Sequence, residues 1–528
     1  MRNRKYTIIL SILTVLESIF VLSIPYFTNS LVDYAEAKDK NNVILFSIFL
    51  ASACLLSILF HVLNNAFYSS FSLKLEEKIK MNLYDSLSKK AFPELNKYHS
   101  AEIEILFTED TNNIIRKELS IIPSLIKSIV RVVLAIGLLV YIVHFDYKLL
   151  SIVLVSGIIG ILGAKIYSHY MKPRHKKVLS SSGKSNSFIV ESHSNLKIIE
   201  AYMAKDNAKD YYNNLLDNEI KDKRSRNYLL YGANSILYAF SAIIYVGPII
   251  YGAFGILNDW FTYGSLIALV MLVRQIESPL ISLSPLMNQY ALGKASEERI
   301  SKALEVSDMD KVESISDFDS IVFDHVSFSY DLDHKVIEDL SFEIKKGETV
   351  LLSGPSGVGK TTIFMLLMGF LKPNTGHIYL KYQGKVEEMS SKYISLFSYV
   401  PQENILFSGT ILDNFKILTG KDEASIIEAL KKANIYDEIM TLKDGLNTTL
   451  KDRGEGLSLG QIQRLIIACS ILHDSNILLL DEFSSALDKE NEVKIIDSLK
   501  ALNKTIIYIT HKNHHMDNDK VVELKDKE

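Results

Sequence analysis

Cysteine and tryptophan are scarce in this chain of 528 residues, which has two cysteines and one tryptophan. Cys54 lies in an apolar stretch and Cys469 in a predicted helix, so the sequence has no disulfide framework and suits a reducing compartment. A large excess of one charge is also lacking, because the formal net charge is -4. Without an excess of basic residues, nucleic-acid binding has no support from composition.

Long apolar runs are abundant in the first 290 residues, whereas the remainder has the composition of a soluble domain. A chain of this length is expected to form two or more domains. The runs that reach the roughly 20 residues needed to cross a bilayer are 6–32, 43–73, 121–145, 147–171, 229–256 and 262–286. No small-residue cleavage site follows the first run, so we expect an uncleaved membrane helix rather than a signal peptide.

The connections between these runs predict the topology. His144–Lys148 and Leu257–Phe261 are short enough to make tight helical hairpins. Lysine and arginine are concentrated at the N-terminus and in segments 74–120 and 172–228. Basic segments stay on the cytoplasmic side, so both termini and both long segments are expected there, in a multi-pass protein of the cell membrane.

The two long basic segments have few glycines or prolines and keep a helical spacing of apolar residues. We therefore expect the second to fifth membrane helices to continue well beyond the bilayer. Each pair would end in a turn able to touch a cytoplasmic partner, one near Tyr98–Thr111 and one near Ala201–Asp210.

Some polar residues interrupt the apolar runs: Glu17, His61, Asn64, Asn65, Lys127, Arg131, Arg274 and Glu277. Ionisable groups inside a membrane are costly, so substrate contact is one interpretation, foremost for Glu17 and for Arg274 with Glu277. The structural interpretation places Lys127 and Arg131 near the lipid headgroups and pairs Arg274 with Glu277 three residues along a helix.

The last 200 residues begin after a polar, acidic linker at 306–320. Strands are predicted at Ile321–Tyr330, Val336–Ile344 and Thr349–Ser353, followed by a glycine-rich segment and an apolar helix at Ile363–Phe370. The glycine-rich segment has the P-loop pattern G-x-x-x-x-G-K-[ST] in its expected strand-to-helix context. Its residues are Gly354, Pro355, Ser356, Gly357, Val358, Gly359, Lys360, Thr361 and Thr362.

The P-loop pattern predicts binding of a nucleotide. Glycines let backbone N–H groups surround phosphates, and the helix N-terminus adds favourable potential. Lys360 would supply a charge to the terminal phosphates, and Thr361 would offer its hydroxyl to Mg²⁺. Asn476–Glu482 reads as a buried strand that ends in two carboxylates, where Asp481 suits Mg²⁺ and Glu482 suits the attacking water.

A resemblance to ATP-binding-cassette (ABC) proteins rests on the segment Leu457-Ser-Leu-Gly-Gln461, followed by Arg464. It is similar to the family's Leu-Ser-Gly-Gly-Gln signature, with Leu459 at the third position. The resemblance implies that Ser458, Gly460 and Gln461 contact ATP, and that Tyr330 stacks on adenine.

Further family landmarks follow in order. Gln402 in Tyr399-Val-Pro-Gln402 would sense Mg²⁺, Ser485–Asp488 would be the D-loop that brings Asp488 to the nucleotide, and His511 would contact the γ-phosphate. The implied catalytic residues are Glu482, His511 and Lys360, and the implied Mg²⁺ contacts are Thr361, Gln402 and Asp481.

Leu406–Ile411 and Lys451–Glu455 resemble the exporter branch of the family, and the six-helix half resembles the type I exporter fold. The expected fold is a membrane all-α domain of six transmembrane helices at 1–305, the linker, and an α/β P-loop NTPase domain, the ABC cassette, at 321–528. The resemblance implies an ATP-hydrolysing half-transporter that needs a second half, sits among membrane lipids and exports a small or peptide substrate by alternating access.

Alternatives remain open at this point. A side chain at Leu459 could weaken the site offered to a partner chain, so a heterodimer with a complementary subunit stands beside the favoured homodimer. An importer with the exporter fold and an ATP-gated channel or sensor share both halves. A soluble cassette ATPase that acts on DNA would share the nucleotide motifs but not the six spans.

Overall fold

The computed structural model describes residues 4–90, 92–95, 98, 100–142, 147–305, 312–315, 317–330, 335–403, 405–451, 454, 456–484, 486, 487, 489–510 and 520–524. The chain divides into two units. The helical unit comprises 1–85 and 100–305, and the α/β unit comprises 86–99 and 306–528.

The helices are α1 (Arg4–Glu36), α2 (Lys40–Ser88), α3 (Phe92–Leu95), α4 (Ser100–Ile105), α5 (Thr111–Ile142), α6 (Tyr147–Ser194), α7 (Leu196–Ala201), α8 (Lys205–Leu257), α9 (Tyr263–Leu304), α10 (Lys360–Leu367), α11 (Ile411–Thr419), α12 (Glu423–Lys432), α13 (Tyr436–Thr441), α14 (Leu459–Leu472) and α15 (Lys489–Lys500). A π-helix at Leu106–Asp110 links α4 to α5, and short 3₁₀ helices lie at Ser391–Leu396 and Gly445–Asn447.

The strands are β1 (Ser320–Ser329), β2 (Lys335–Lys345), β3 (Thr349–Ser353), β4 (Thr375–Tyr382), β5 (Lys385–Glu388), β6 (Phe397–Val400), β7 (Gly409–Thr410), β8 (Thr449–Leu450), β9 (Ile477–Asp481), β10 (Thr505–Ile509) and β11 (Lys520–Glu523). The predicted strand at Thr349–Ser353 is confirmed with the same bounds. The predicted strands Ile321–Tyr330, Val336–Ile344 and Asn476–Glu482 are also present, and each of their ends differs by one residue.

Four of the predicted spans lie entirely within the long helices α1, α2, α6 and α8, and the other two overlap α5 and α9. Residues 143–145 of the third span lie outside the described residues. Among the described residues, Arg4–Glu36, Lys40–Ser88 and Glu102–Ile142 are long and apolar enough to cross a membrane, with mean hydropathies of 2.3, 2.7 and 2.3. At about 1.5 Å per residue, α2, α6 and α8 are each about 70 Å long or more, over twice a hydrocarbon core of about 30 Å. Helices of this length are longer than a bilayer is thick, as the predicted extensions beyond it require.

The first turn between long helices lies earlier than predicted. Residues 100–142 are helical throughout, so the chain reverses before Ser100, and not over Tyr98–Thr111. The helix α2 ends at Ser88, and α3 follows at Phe92–Leu95 with Pro93 in its first turn, where a proline is tolerated. The second turn, at Tyr202–Ala204, lies within its predicted range, whereas the predicted hairpin at His144 falls outside the described residues.

Two large sheets build the described part of the α/β unit, in addition to the two-stranded antiparallel pairing of β7 with β8. The antiparallel sheet has the strand order β2-β1-β4-β5, and the parallel sheet has the order β11-β3-β10-β9-β6. Residues from both sheets and from α10 share one apolar core, which includes Phe323, Leu352 and Ile363. Because the carboxyl ends of parallel strands meet at one edge, the segments after β3, β6, β9 and β10 converge there.

Candidate nucleotide-binding site

The P-loop lies between β3 and α10, where backbone geometry requires glycine at both ends. Gly354 has φ 151°, and a Cβ there would approach the Leu524 carbonyl oxygen to 2.7 Å. Gly359 has φ 103° and is the N-cap residue of α10. Side chains at these two positions would strain the loop, so its backbone shape follows directly from the sequence.

Lys360 opens α10 and its side chain folds back over the loop. Its Nζ donates hydrogen bonds to the carbonyl oxygens of Gly354 at 2.7 Å and Pro355 at 2.9 Å. The residue is buried, so the loop holds a cationic group inside the turn that the glycines make. A concave loop with a buried ammonium and free helix N–H groups is suited to phosphate.

Thr361 and Asp481 join the P-loop to the end of β9. The Thr361 hydroxyl donates to Asp481 Oδ2 at 2.8 Å, and the Tyr399 hydroxyl donates to the same oxygen at 3.3 Å. Burial raises the pKa of the Asp481 carboxyl above its ordinary value, while the hydrogen bond from Thr361 opposes that rise. Burial and the adjacent Asp481 likewise raise the pKa of the Tyr399 phenol.

Gln402 and Glu482 meet at the same edge of the parallel sheet. Gln402 Nε2 donates to Glu482 Oε2 at 2.8 Å. Glu482 has φ 48°, a left-handed conformation that is unfavourable for a residue with a side chain, and its backbone N–H donates to the Ile509 carbonyl at 3.1 Å. Such strain recurs at functional sites, where neighbouring structure holds a side chain in one position.

Tyr330 lies at the end of β1 with an exposed ring. Its hydroxyl is 3.3 Å from Thr362 Oγ1, and its ring packs edge-to-face on Phe328 with centroids 5.0 Å apart. The ring therefore stands next to the P-loop helix with a free surface, as an adenine-stacking residue requires.

The signature segment caps α14. Ser458 is the N-cap residue and forms a reciprocal capping box with Gln461. Leu459 is 67% exposed, so its side chain points away from the core. A Cβ at Gly460 would lie 2.9 Å from the Ala486 carbonyl oxygen, so this glycine permits close backbone packing.

Glu438 of α13 fixes the signature helix and was not found by sequence reasoning. Arg464 donates to both Glu438 oxygens, at 2.6 and 2.8 Å, and to the Asn434 carbonyl at 2.7 Å. Gln461 Nε2 also donates to Glu438, at 3.1 Å. Glu438 belongs to another helix and no local pattern marks it, whereas Tyr399 could have been found through its place in the Tyr399–Gln402 segment.

The structure thus brings together Lys360, Thr361, Gln402, Asp481 and Glu482. The hydrogen bonds of the signature segment run to α13 instead. Ser485, Asp488, His511 and most of Lys451–Glu455 lie outside the described residues.

The polar residues of the helical unit are not scattered. Glu17 of α1 accepts hydrogen bonds from Lys127 at 2.9 Å and Arg131 at 3.5 Å, and His61 Nδ1 lies 3.5 Å from the same oxygen. Asn65 Nδ2 lies 3.1 Å from His61 Nε2. Arg274 is exposed and Glu277 is half-buried on α9.

Comparison with known proteins matches both halves of the chain. A family model for the ABC transporter transmembrane region matches residues 7–280, and one for the ABC transporter matches residues 337–485. A putative export ATP-binding/permease protein from Rickettsia bellii is 28% identical, over 96% of this chain and 88% of its own length.

Two further proteins are similar. A probable multidrug resistance ABC transporter ATP-binding/permease protein, YheI of Bacillus subtilis, is 29% identical over 67% of this chain and 61% of its own. The structure of a bacterial Atm1-family ABC exporter with ATP bound has a TM-score of 0.83 at 22% identity, covering 99% of this chain and 93% of that one, and it establishes likeness of fold. The chain therefore belongs to the ABC transporter family, as a multi-pass membrane half-transporter of exporter fold whose ATP-binding domain is an ATPase coupled to transport.

Proposed function

We propose that two copies of this chain form an exporter that uses ATP to move a peptide, drug-like or lipid-like substrate out of the cytoplasm. The observation that carries the proposal is the Thr361–Asp481 hydrogen bond of 2.8 Å, next to the Gln402–Glu482 pair. The first of these bonds joins the P-loop to Asp481, whose neighbour Glu482 binds Gln402, and the described residues also include six long helices. A relative named for multidrug resistance supports an amphipathic or hydrophobic substrate.

ATP binding would exchange contacts inside the P-loop. Lys360 now donates to two loop carbonyls, and the phosphates of ATP would replace those acceptors. The loop N–H groups and the start of α10 would bind the same phosphates. Tyr330 would stack on adenine, because its ring is exposed beside the P-loop helix.

The residues around Asp481 fit a magnesium ion. Thr361 and Asp481 already place two oxygens 2.8 Å apart, and the amide oxygen of Gln402 belongs to the same edge of the sheet. Oxygen donors of this kind are those that Mg²⁺ prefers. Bound there, the ion would neutralise negative charge on the phosphates.

Glu482 would orient the attacking water and accept its proton. Its carboxylate is positioned by Gln402 and by the strained backbone that the Ile509 carbonyl holds in place. Gln402 would be among the residues that hold the magnesium ion, and its amide already positions the Glu482 carboxylate beside that site. His511 and Asp488 are assigned to the γ-phosphate and to the second half-transporter by family resemblance.

Two chains are needed because each carries one P-loop and one signature, and the signature contacts α13 rather than the P-loop of its own chain. A closed dimer would place ATP between the P-loop of one copy and Ser458 and Gly460 of the other. We favour a homodimer, since the serine and the second glycine are retained. The exposed Leu459 side chain supports the alternative, a heterodimer in which the partner contributes the stronger signature.

Transport would follow from closure of the two cassettes. ATP shifts the equilibrium toward the closed dimer only if it binds that state more tightly than the open one. Hydrolysis would then return the helical unit to its inward-facing state. The basic segments 74–120 and 172–228 support an orientation with both termini in the cytoplasm.

Replacement of Glu482 by glutamine tests the proposal in lipid nanodiscs. Loss of the general base is expected to lower ATP turnover by about a hundredfold or more while ATP binding is retained. Glu490→Gln is the matched control, because Glu490 is an exposed carboxylate on α15 that pairs with Lys494. Undiminished hydrolysis by the Glu482 variant would remove this residue from its role, and turnover that survives Lys360→Ala would defeat the site.

A further inference from the structure

Four side chains from three helices meet in the helical unit around one carboxylate oxygen. Glu17 Oε1 of α1 accepts from Lys127 Nζ at 2.9 Å and from Arg131 Nη2 at 3.5 Å, both on α5. His61 Nδ1 of α2 lies 3.5 Å from it. We call Glu17, His61, Lys127 and Arg131 the basic cluster.

In the basic cluster the carboxylate of Glu17 is buried, whereas the cationic side chains around it are partly exposed. Glu17 is only 4% exposed, whereas the side chains of Lys127 and Arg131 are 31% and 17% exposed. The cluster lies on apolar helices, where an uncompensated charge is costly. Two basic side chains, Lys127 and Arg131, face the single acidic side chain of Glu17, so basic groups outnumber acidic ones in the cluster.

Hydrogen bonding in the basic cluster is also incomplete. Within the described part of the chain, Glu17 Oε2 and Arg131 Nε are buried without a hydrogen-bond partner. Buried polar atoms are satisfied in the great majority of cases, so these two atoms are suited to bind a further polar group. That group would bring acceptors for Arg131 and Lys127 and a donor for Glu17.

A second buried carboxylate in the same unit shows what a purely structural ion pair looks like here. Asp110 Oδ1 accepts from Ser296 Oγ at 2.7 Å, and Asp110 Oδ2 accepts from Arg299 Nε at 2.8 Å. One acid faces one guanidinium, and both of its oxygens are bonded. The basic cluster differs in charge balance and in its unfilled hydrogen-bonding atoms.

We propose that the basic cluster is a binding subsite for an anionic group, a carboxylate or phosphate, that enters the helical unit. Resting on the proposed function, the occupant is the polar end of an amphipathic substrate. A phospholipid headgroup offers the same chemistry and is the other source. In either case the anion binds Lys127 and Arg131 through charge-assisted hydrogen bonds, and an adjoining hydroxyl or ammonium donates to Glu17.

The test measures binding of radiolabelled octyl phosphate to the full chain in phosphatidylcholine nanodiscs without nucleotide, corrected with empty discs. Octyltrimethylammonium, which has the same chain and the opposite charge, is the comparison probe. We expect octyl phosphate to bind at least about tenfold more tightly than the ammonium probe. Equal binding of the two probes would overturn the proposal.

Variants separate an anion site from a structural cluster. Arg131→Gln and Lys127→Gln are each expected to weaken octyl phosphate binding about tenfold, while Arg131→Lys keeps much of it. Arg116→Gln, which changes an exposed arginine on the same helix, is the matched control and is expected to bind as the unaltered chain does. Equal effects at positions 116 and 131 would contradict the proposal.

Glu17→Gln gives the sharpest outcome, because removing the competing carboxylate is expected to tighten octyl phosphate binding. A merely structural role predicts the opposite, since loss of the ion pair would loosen α1 from α5 and weaken binding. A weakened Glu17→Gln variant would therefore overturn the proposal.

Two further arms identify the source of the anion. Stimulation of ATP turnover by octyl phosphate assigns the subsite to substrate, whereas displacement of the probe by phosphatidylglycerol added to the discs assigns it to a headgroup. Binding is measured without nucleotide, so its loss with intact ATP turnover refutes the subsite and leaves the proposed function standing. If octyl phosphate binds normally but ATP turnover is absent, the proposed function is refuted and the subsite stands.

Discussion

At the scale of single residues, Leu459 is where this sequence departs from the family pattern. Its side chain is exposed at the first position of α14, the end that would face nucleotide bound to a second copy. A branched side chain there takes the space that a glycine would leave for phosphate. Activity and stability should therefore respond to its size in opposite directions.

We expect Leu459→Gly to raise ATP turnover at least about threefold, a gain of about 0.7 kcal/mol in transition-state stabilisation. Glycine in a helix costs about 0.5–1 kcal/mol, so the same variant should unfold at a slightly lower temperature. The ATP turnover of Leu459→Ala should lie between those of the unaltered chain and Leu459→Gly. Steady-state ATPase assays and calorimetric melts of the three proteins measure both quantities, and unchanged turnover across the series would show that Leu459 is no obstacle.

The pKa of His325 is raised chiefly by one neighbour, Asp339. Its Nδ1 lies 2.6 Å from Asp339 Oδ1, and this hydrogen bond raises the histidine pKa above the ordinary value of 6.5. A raised folded pKa means that the pair stabilises the fold below pH 6.5, and that this stabilisation is lost as pH rises through the folded pKa.

We expect Asp339→Asn to return the His325 pKa toward 6.5 and to reduce the loss of stability that begins as pH rises above 6.5. Exchange at the imidazole C2 position, followed by mass spectrometry, reports the pKa of this histidine directly. Asp324→Asn is the control, because Asp324 has only a smaller Coulombic effect on His325. If Asp324→Asn lowers the His325 pKa more than Asp339→Asn does, then Asp339 is not the carboxylate that raises it.

At the scale of elements, the π-helix Leu106–Asp110 is fastened to α9. Asp110 is fully buried, and Arg299 binds both of its oxygens. Asn113 also donates to Ser296 at 3.2 Å, and Lys117 pairs with Glu297. A π-helix is unfavourable on its own, so these contacts hold the junction between α4 and α5 against α9.

We expect Asp110→Asn to lower the free energy of unfolding by about 1–3 kcal/mol, less than for a fully buried pair because Arg299 is half exposed. Arg299→Lys should lose much of the same amount, since lysine cannot bind both oxygens in the fork geometry of arginine. Lys80→Gln breaks a half-buried pair with Glu76, one turn away on α2, and should change stability by less than about 0.5 kcal/mol, as is usual for pairs four residues apart on a helix. Circular dichroism melts compare the variants, and equal effects at Lys80 and Asp110 would contradict this account.

Elements that are specified by local sequence patterns could be predicted, whereas contacts between residues far apart in the sequence could not. Runs such as Thr349–Ser353 and Asn476–Glu482 were predictable because a buried strand between a turn and a motif is a local pattern. The first turn lies earlier than predicted because no glycine or proline stands next to Ser88, where α2 ends. Glu438 and the meeting of Glu17 with Lys127 depend on contacts between distant helices, and no local spacing encodes them.

At the scale of the whole molecule, the family and fold were predictable because several motifs recur in a fixed order over most of the chain. Substrate chemistry was not, because it depends on side chains that only the packed helices bring together. The association of two chains raises a separate question. A single chain carries all the parts of a nucleotide site, but the proposed function requires that they be used by different copies.

Mixing two inactive variants tests that requirement. Lys360→Ala removes the P-loop contribution of its own chain, and Gly460→Asp places a bulky negative group in the signature that its chain offers. A mixed dimer then holds one site with both parts intact and one site with neither. At equal ratio about half of the dimers are mixed, so we expect up to about a quarter of the unaltered ATP turnover. Each variant alone should stay at background. If mixed dimers form, as mass measurement can show, yet turnover stays at background, then sites shared between independently working halves are excluded.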